Sequence, residues 1–149
     1  ALMTARFARE LGVEPHVALL SYANFGASTH PEAKKVADAV RLIRRREPSL
    51  DVEGEMQAQI ALDPDARARS WPWATLRGEA NVLVFPNLGA GNTAYQLLAR
   101  MGQADEIGPV LLGLSRPVTV VPPGCSVETI VQMTAMTALQ SHTLSAAAV

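Results

Sequence analysis

Three stretches of this sequence place small and polar residues directly after apolar runs and directly before helical patterns: residues 21–29, 86–92 and 122–126. In open α/β sheets, ligands bind beyond the carboxyl ends of strands, where such stretches fall. Their backbone amides can approach a ligand closely, and the N-terminus of the helix that follows attracts an anion. Turn chemistry alone explains the composition of any one of them; three together point towards a site. Within the second, Gly89-Ala90-Gly91-Asn92-Thr93-Ala94 fits the dinucleotide fingerprint, with alanine in its last place. Two features oppose that reading. Five residues from Pro86 separate the strand from the helix opening, where the fingerprint uses a tight turn. The next apolar run, Val110-Leu111-Leu112-Gly113-Leu114, also offers no acidic residue to hold a ribose. Nicotinamide binding is not expected of this loop.

Other chemistry-bearing residues are sparse. The histidines, His16, His30 and His142, are scattered, and with a single cysteine no spacing describes a metal site. Ser21 and Ser126 lack the Gly-x-Ser-x-Gly elbow of a hydrolase. Glu53 and Glu55 alternate along a strand-like stretch and face the same way. Paired carboxylates can transfer protons, but at a strand end these two are expected to be solvated. Cys125 follows Gly124 near the start of the last helix, where a thiol can be activated; its expected role is that of a small buried hydrophobe.

The elements that position these residues follow from periodicity. Residues 4–11 predict a short helix ending at Gly12, a normal left-handed cap. Val17-Ala18-Leu19-Leu20 is a continuous apolar run, as in a strand covered on both faces. Pro31 opens a strong helix whose buried stripe is Ala33, Val36, Ala37, Val40 and Ile43. Residues 50–55 predict a strand, residues 56–62 a helical stretch, and Pro64 the first turn of another helix. Trp71-Pro72-Trp73 predicts a loop packed on the body. Residues 81–85 predict a buried strand and residues 93–101 a helix. Residues 110–113 and 118–121 predict two more strands. From Ser126 a long final helix reaches at least Gln140, with Val127, Ile130, Val131, Met133, Met136 and Leu139 spread around it, so burial on several sides is expected. Alternating strands and helices give an α/β fold: a three-layer α/β/α domain over residues 1–149 with a mostly parallel sheet.

The length of 149 residues suits one domain, and 48% hydrophobic with 18% charged residues describes an ordinary globular chain. Thirteen basic against fourteen acidic side chains leave a net charge of -1, so no nucleic-acid partner is expected. The run Arg44-Arg45-Arg46 closes a helix, where cations complement the dipole. One cysteine excludes an internal disulfide and fits a cytoplasmic protein. No apolar run approaches the ~20 residues that cross a bilayer, so no membrane partner is expected. The first residues do not read as a signal peptide. The chain opens in a helical pattern without an initiator methionine, which is the expectation for a fragment.

Taken in order, the stretch Gly78-Glu79-Ala80-Asn81-Val82-Leu83-Val84-Phe85-Pro86-Asn87-Leu88-Gly89-Ala90-Gly91-Asn92-Thr93-Ala94-Tyr95 resembles the phosphate acetyl/butyryltransferase family. So do Ile107-Gly108-Pro109-Val110-Leu111-Leu112-Gly113-Leu114, the strand end Leu19-Leu20-Ser21-Tyr22, and Gly54-Glu55-Met56-Gln57-Ala58. Within it the likeness is to the C-terminal domain of hybrid bacterial NADP-dependent malic enzymes. Asn24-Phe25-Gly26, Glu79-Ala80-Asn81 and Ile130-Val131-Gln132-Met133-Thr134-Ala135 carry that likeness; free-standing transferases usually have a lysine where Phe25 stands.

The resemblance implies one half of a two-domain unit, with residues 126–149 as a terminal helix returning to the other half. It implies a cleft for an acyl-coenzyme A, with acetyl-coenzyme A as an allosteric ligand, and a homo-oligomer. NADP and a divalent metal are implied only for sequence upstream. The implied cleft residues are Ser21, Asn24, Phe25 and Gly26; Pro86, Asn87, Leu88, Gly91 and Asn92; and Gly124, Cys125 and Ser126. Family transferases carry Ser-Arg-Gly-Cys before the last helix and an aspartate shortly after. Here Pro122 and Pro123 replace the serine and arginine, and Thr129 stands at the aspartate position. Proline has neither a side-chain donor nor a backbone N–H, and cannot grip phosphate as arginine does. One preorganised donor is worth ~3 kcal/mol of transition-state stabilisation, so transferase chemistry is expected to be absent.

Overall fold

The computed structural model describes residues 1–102 and 106–146. The chain divides into two compact units, Ala1–Gln96 and Leu97–Val149.

The first unit is built on a sheet of three strands, β1 (His16–Leu20), β2 (Asp51–Met56) and β3 (Val82–Val84), in the order β2-β1-β3. Both pairings are parallel, with Val17 beside Val52 and Val82, and Leu19 beside Val84. Side chains alternate across a strand, and β1 shows why its run is apolar throughout. Val17 and Leu19 pack with Val36, Val40 and Ile43 on one face. Ala18 and Leu20 pack with Met56, Ile60 and Ala61 on the other. The unit is therefore three layers deep. Helices α1 (Leu2–Glu10) and α2 (Pro31–Arg46) contribute to the first face, and α3 (Ala58–Leu62) and α4 (Pro64–Ser70) to the second.

Helix ends follow the sequence closely. After α1, Gly12 takes a φ of 76°, and the amides of Gly12 and Val13 bond to the carbonyls of Arg9 and Ala8; this is a Schellman cap. His30 caps α2 ahead of Pro31, and Asp63 caps α4 ahead of Pro64. Ala33, Val36, Val40 and Ile43 form the buried stripe of α2, with Ala37 at its half-buried margin. From the last turn of α2, Arg44 does more than complement a dipole. It donates to the Val52 carbonyl at the outer edge of β2 and to the carboxylate of Glu53.

Glu53 and Glu55 correct the expectation of solvated carboxylates: they are 3% and 2% exposed. Glu53 is held by Arg44 and by the amide and hydroxyl of Thr75. Glu55 lies where the β1–β2 register shifts, and its carboxylate accepts from the amide of Gly26. Buried carboxylates persist when charged and polar donors satisfy them, and here those donors come from distant segments. Gly54, between them, leaves no room for a side chain without a shift of backbone, because a Cβ there would sit 2.5 Å from the Leu19 carbonyl oxygen.

Helix α5 (Leu88–Gly102) begins earlier than the sequence predicts. Gly89 and Gly91 lie inside its first turns instead of in a turn preceding it, because Asn87 caps the helix through the Ala90 amide at 2.9 Å. In the second unit, the segments predicted as two strands form only an isolated antiparallel bridge, Val110 to Thr119. Their β-branched residues have the propensity for strands, but propensity without a ladder partner does not make one. Helix α6 (Val127–Ala146) starts from the Ser126 cap as expected, and residues 147–149 of the predicted terminal helix lie outside the described residues. Its Met133 is buried. Val127 and Val131, by contrast, are 77% and 62% exposed, so burial on several sides does not occur within this chain.

Candidate functional site

The site begins where β1 ends. The chain leaves Leu20 and turns through residues 24–27, closed by the Ala27 amide donating to the Asn24 carbonyl at 2.9 Å. Phe25 and Gly26 have φ of 46° and 86°. Positive φ at both central positions defines a type I′ turn, a conformation natural for Gly26 and costly for a phenylalanine. Neighbouring groups hold it. Phe25 donates its amide to the Glu55 carbonyl at 2.8 Å, and Gly26 donates to the Glu55 carboxylate at 2.6 Å. Asn24 and Gln57 pair through the Gln57 amide (2.7 Å) and the Asn24 side-chain N–H (3.2 Å). Gln57 also donates to the Tyr22 carbonyl. The loop is thereby zipped to the end of β2. The Phe25 ring packs on Trp71 and Trp73, with centroids 5.3 and 4.9 Å apart.

The second wall follows β3. Phe85, Pro86 and Asn87 lead into α5, whose first amides and positive dipole end therefore adjoin this loop. A Cβ at Gly91 would lie in ordinary contact with the Phe85 side chain. Because β1 and β3 are adjacent and parallel, the two loops leave the sheet side by side. The order β2-β1-β3 reverses its direction at this point, and open α/β sheets bind ligands at such switch points. The structure therefore brings Ser21, Asn24, Phe25 and Gly26 to one edge with Pro86, Asn87, Leu88, Gly91 and Asn92. No lysine, arginine or histidine occurs in residues 21–26 or 86–92, so an anion there would meet amides and a helix dipole rather than cations.

Gly124, Cys125 and Ser126 belong to the second unit. The Cys125 amide donates to the Pro122 carbonyl at 3.2 Å, with Pro123 and Gly124 (φ 81°) at the centre of the turn; proline followed by a glycine of positive φ makes it type II. Ser126 caps α6 through the Thr129 amide at 3.1 Å, and the two hydroxyls bond at 2.9 Å. Sequence reasoning missed the work of Glu55 and Gln57 and the aromatic contacts of Trp71 and Trp73. A motif search had no signal for them, because their partners lie in other elements.

Among the described residues no group of three His, Cys, Asp or Glu side chains can hold a metal ion. Nor is any described helix long and apolar enough to cross a membrane.

A parallel α/β unit with two strand-end loops side by side at its switch point defines an open α/β domain with a candidate ligand edge. The family follows from comparison: the phosphate acetyl/butaryl transferase model matches residues 1–138, and the chain belongs to that family. A phosphate acetyltransferase of Paracoccus denitrificans is 44% identical over 133 residues, covering 89% of this chain and 42% of that protein. An NADP-dependent malic enzyme of Escherichia coli K12 is 41% identical over 143 residues, covering 95% of this chain and 19% of the enzyme. In structure, the EutD phosphotransacetylase of Staphylococcus aureus superposes with a TM-score of 0.88 at 38% identity, over 95% of this chain and 44% of that one. A phosphotransacetylase of Streptococcus pyogenes gives 0.89 at 35% identity, over 95% and 43%. The chain thus spans less than half the length of each of these relatives.

Proposed function

We propose that this chain is a non-catalytic, acetyl-coenzyme A-sensing region of an NADP-dependent malic enzyme. The observation that carries the reading is the segment before α6. Pro122 and Pro123 stand where the family resemblance implies a serine and an arginine for phosphate, and neither proline offers a side-chain donor. The Thr129 hydroxyl, where an aspartate would handle a thiol proton, bonds instead with the helix cap. Residues 21–26 and 86–92 at the β1/β3 edge carry no cation, which suits binding through amides and a helix dipole better than phosphoryl chemistry. The 41% identity with a malic enzyme supports the assignment. On this reading the oxidative decarboxylation of malate, with its NADP and metal, belongs to sequence outside the chain.

Calorimetry of the full-length gene product with acetyl-coenzyme A tests the proposal. Heat of binding and a raised melting temperature are expected; the absence of both sinks it. A second reading, an active phosphate acyltransferase, is favoured by the 44% identity with a phosphate acetyltransferase. A thiol-release assay with acetyl-coenzyme A and phosphate separates the two, since turnover above background overturns the non-catalytic assignment. A third, an oligomerisation module, draws on the exposed Val127 and Val131 of α6. It predicts that deleting residues 126–149 abolishes self-association while ligand assays stay blank.

A further inference from the structure

Both tryptophans of the chain lie within three residues of each other, beside the loop that closes β1. They are not equivalent. Trp71 is half-buried against the second core, together with Phe25 and Phe85. Trp73 is 60% exposed, and its ring contact is with Phe25, at 4.9 Å and 75°, an edge-to-face arrangement. One such contact fixes an indole and leaves much of its flat surface open to water.

The geometry behind the contact is what gives Trp73 a use. Phe25 is the one non-glycine residue of positive φ among the described residues, at 46°. It is held there by the backbone and carboxylate of Glu55 acting on Phe25 and Gly26, and by the Asn24–Gln57 pair. These bonds set the phenyl ring against Trp73 at the same edge of the sheet as the switch-point loops. The result is a preformed, uncharged aromatic ledge beside a candidate cleft. A flat, exposed indole held in this way recognises a planar π system, and a nucleobase stacks on such a ring whatever its hydrogen-bonding edge.

We propose that Trp73, set by Phe25, is the stacking platform for the adenine of the acetyl-coenzyme A bound at the β1/β3 edge. The inference rests on the proposed function and adds to it a residue that determines which part of the ligand is read. The acetyl and pantetheine portions have no π face and do not need the indole.

The experiment compares acetyl-coenzyme A with S-acetylpantetheine, which lacks the nucleotide, by calorimetry on the full-length protein and its Trp73→Leu and Trp73→Phe variants. Trp73→Leu is expected to weaken acetyl-coenzyme A by about tenfold, within the range of one lost base stack, and to leave S-acetylpantetheine unchanged. Trp73→Phe retains most of the affinity. An unchanged acetyl-coenzyme A affinity in Trp73→Leu overturns the proposal, as does an equal loss for both probes, which would mark Trp73 as a structural residue. Should the parent protein bind no acetyl-coenzyme A at all, the functional assignment fails and this proposal falls with it. A parent and a Trp73→Leu variant that bind acetyl-coenzyme A equally well refute the ledge alone.

Discussion

Replacing Arg67 by methionine should destabilise the first unit by about 4 kcal/mol. Arg67 is 3% exposed and, among the described residues, has no carboxylate partner; its guanidinium donates to four carbonyls. It donates to Ile60 at 2.8 Å, Ala61 at 3.3 Å and Leu76 at 3.2 Å, and also to Gly78. Ile60 and Ala61 belong to α3, so the cation also meets the negative end of a short helix. Methionine keeps much of the apolar stem but none of the donors. Ala61 retains the amide of Ala80 at 3.0 Å, whereas Ile60, Leu76 and Gly78 lose this donor. A buried acceptor left without its partner costs about 1–3 kcal/mol. Three at the lower middle of that range give about 5 kcal/mol, and relief from burying a charge offsets roughly one. Urea denaturation followed by tryptophan fluorescence reads this unit, because both indoles lie in it. With a slope of about 2 kcal/mol/M, the midpoint should fall by about 2 M. Lysine keeps the charge but not the fork, and should lose about half as much. A midpoint for Arg67→Met within about 0.5 M of the parent would refute the view that this guanidinium ties α3, α4 and the 76–78 segment together.

Gly54→Ala places a methyl group 2.5 Å from the Leu19 carbonyl oxygen at a φ of 143°. Clash and backbone strain together should cost about 3 kcal/mol, a melting temperature lower by roughly 10 °C, and an unchanged value would contradict the register of β1 on β2. At the surface, the hydrogen bond and then the charge of Lys35 hold the Glu32 carboxyl below its ordinary pKa. A lowered carboxylate pKa means a contribution that is present above the ordinary value and lost as pH falls through the lowered one. NMR titration should show the Glu32 midpoint rising in Lys35→Met; an unmoved midpoint removes that pair as the cause.

Much of the first unit was legible because local and tertiary preferences agree there. The run from Val17 to Leu20 needs two covered faces and has them, and Pro31 and Pro64 stand at true helix starts. Legibility failed where a residue's partner was remote. Glu53 and Glu55 read as solvent-facing because Thr75 and Gly26, which satisfy them, lie 22 and 29 residues away. Gly89 and Gly91 read as turn residues, since nothing local says that Asn87 caps a helix just before them. The segments at Val110 and Thr119 had strand composition, yet a strand is defined by its neighbour, and here the neighbour is a single bridge. At the site, the two loops of the first unit could be named from composition. The clamp by Glu55 and Gln57 and the ring contacts with Trp73 required coordinates.

The reach of Arg44 to Val52 bears on how this protein keeps to itself. β2 is an edge strand, and the free carbonyls of an edge invite a strand from another molecule. With the Val52 oxygen taken by a guanidinium at 3.0 Å, an incoming chain would have to evict a cation before it could form its first bond there. Association through this sheet is thereby discouraged on the β2 side, so Arg44 serves as a guard against aggregation there.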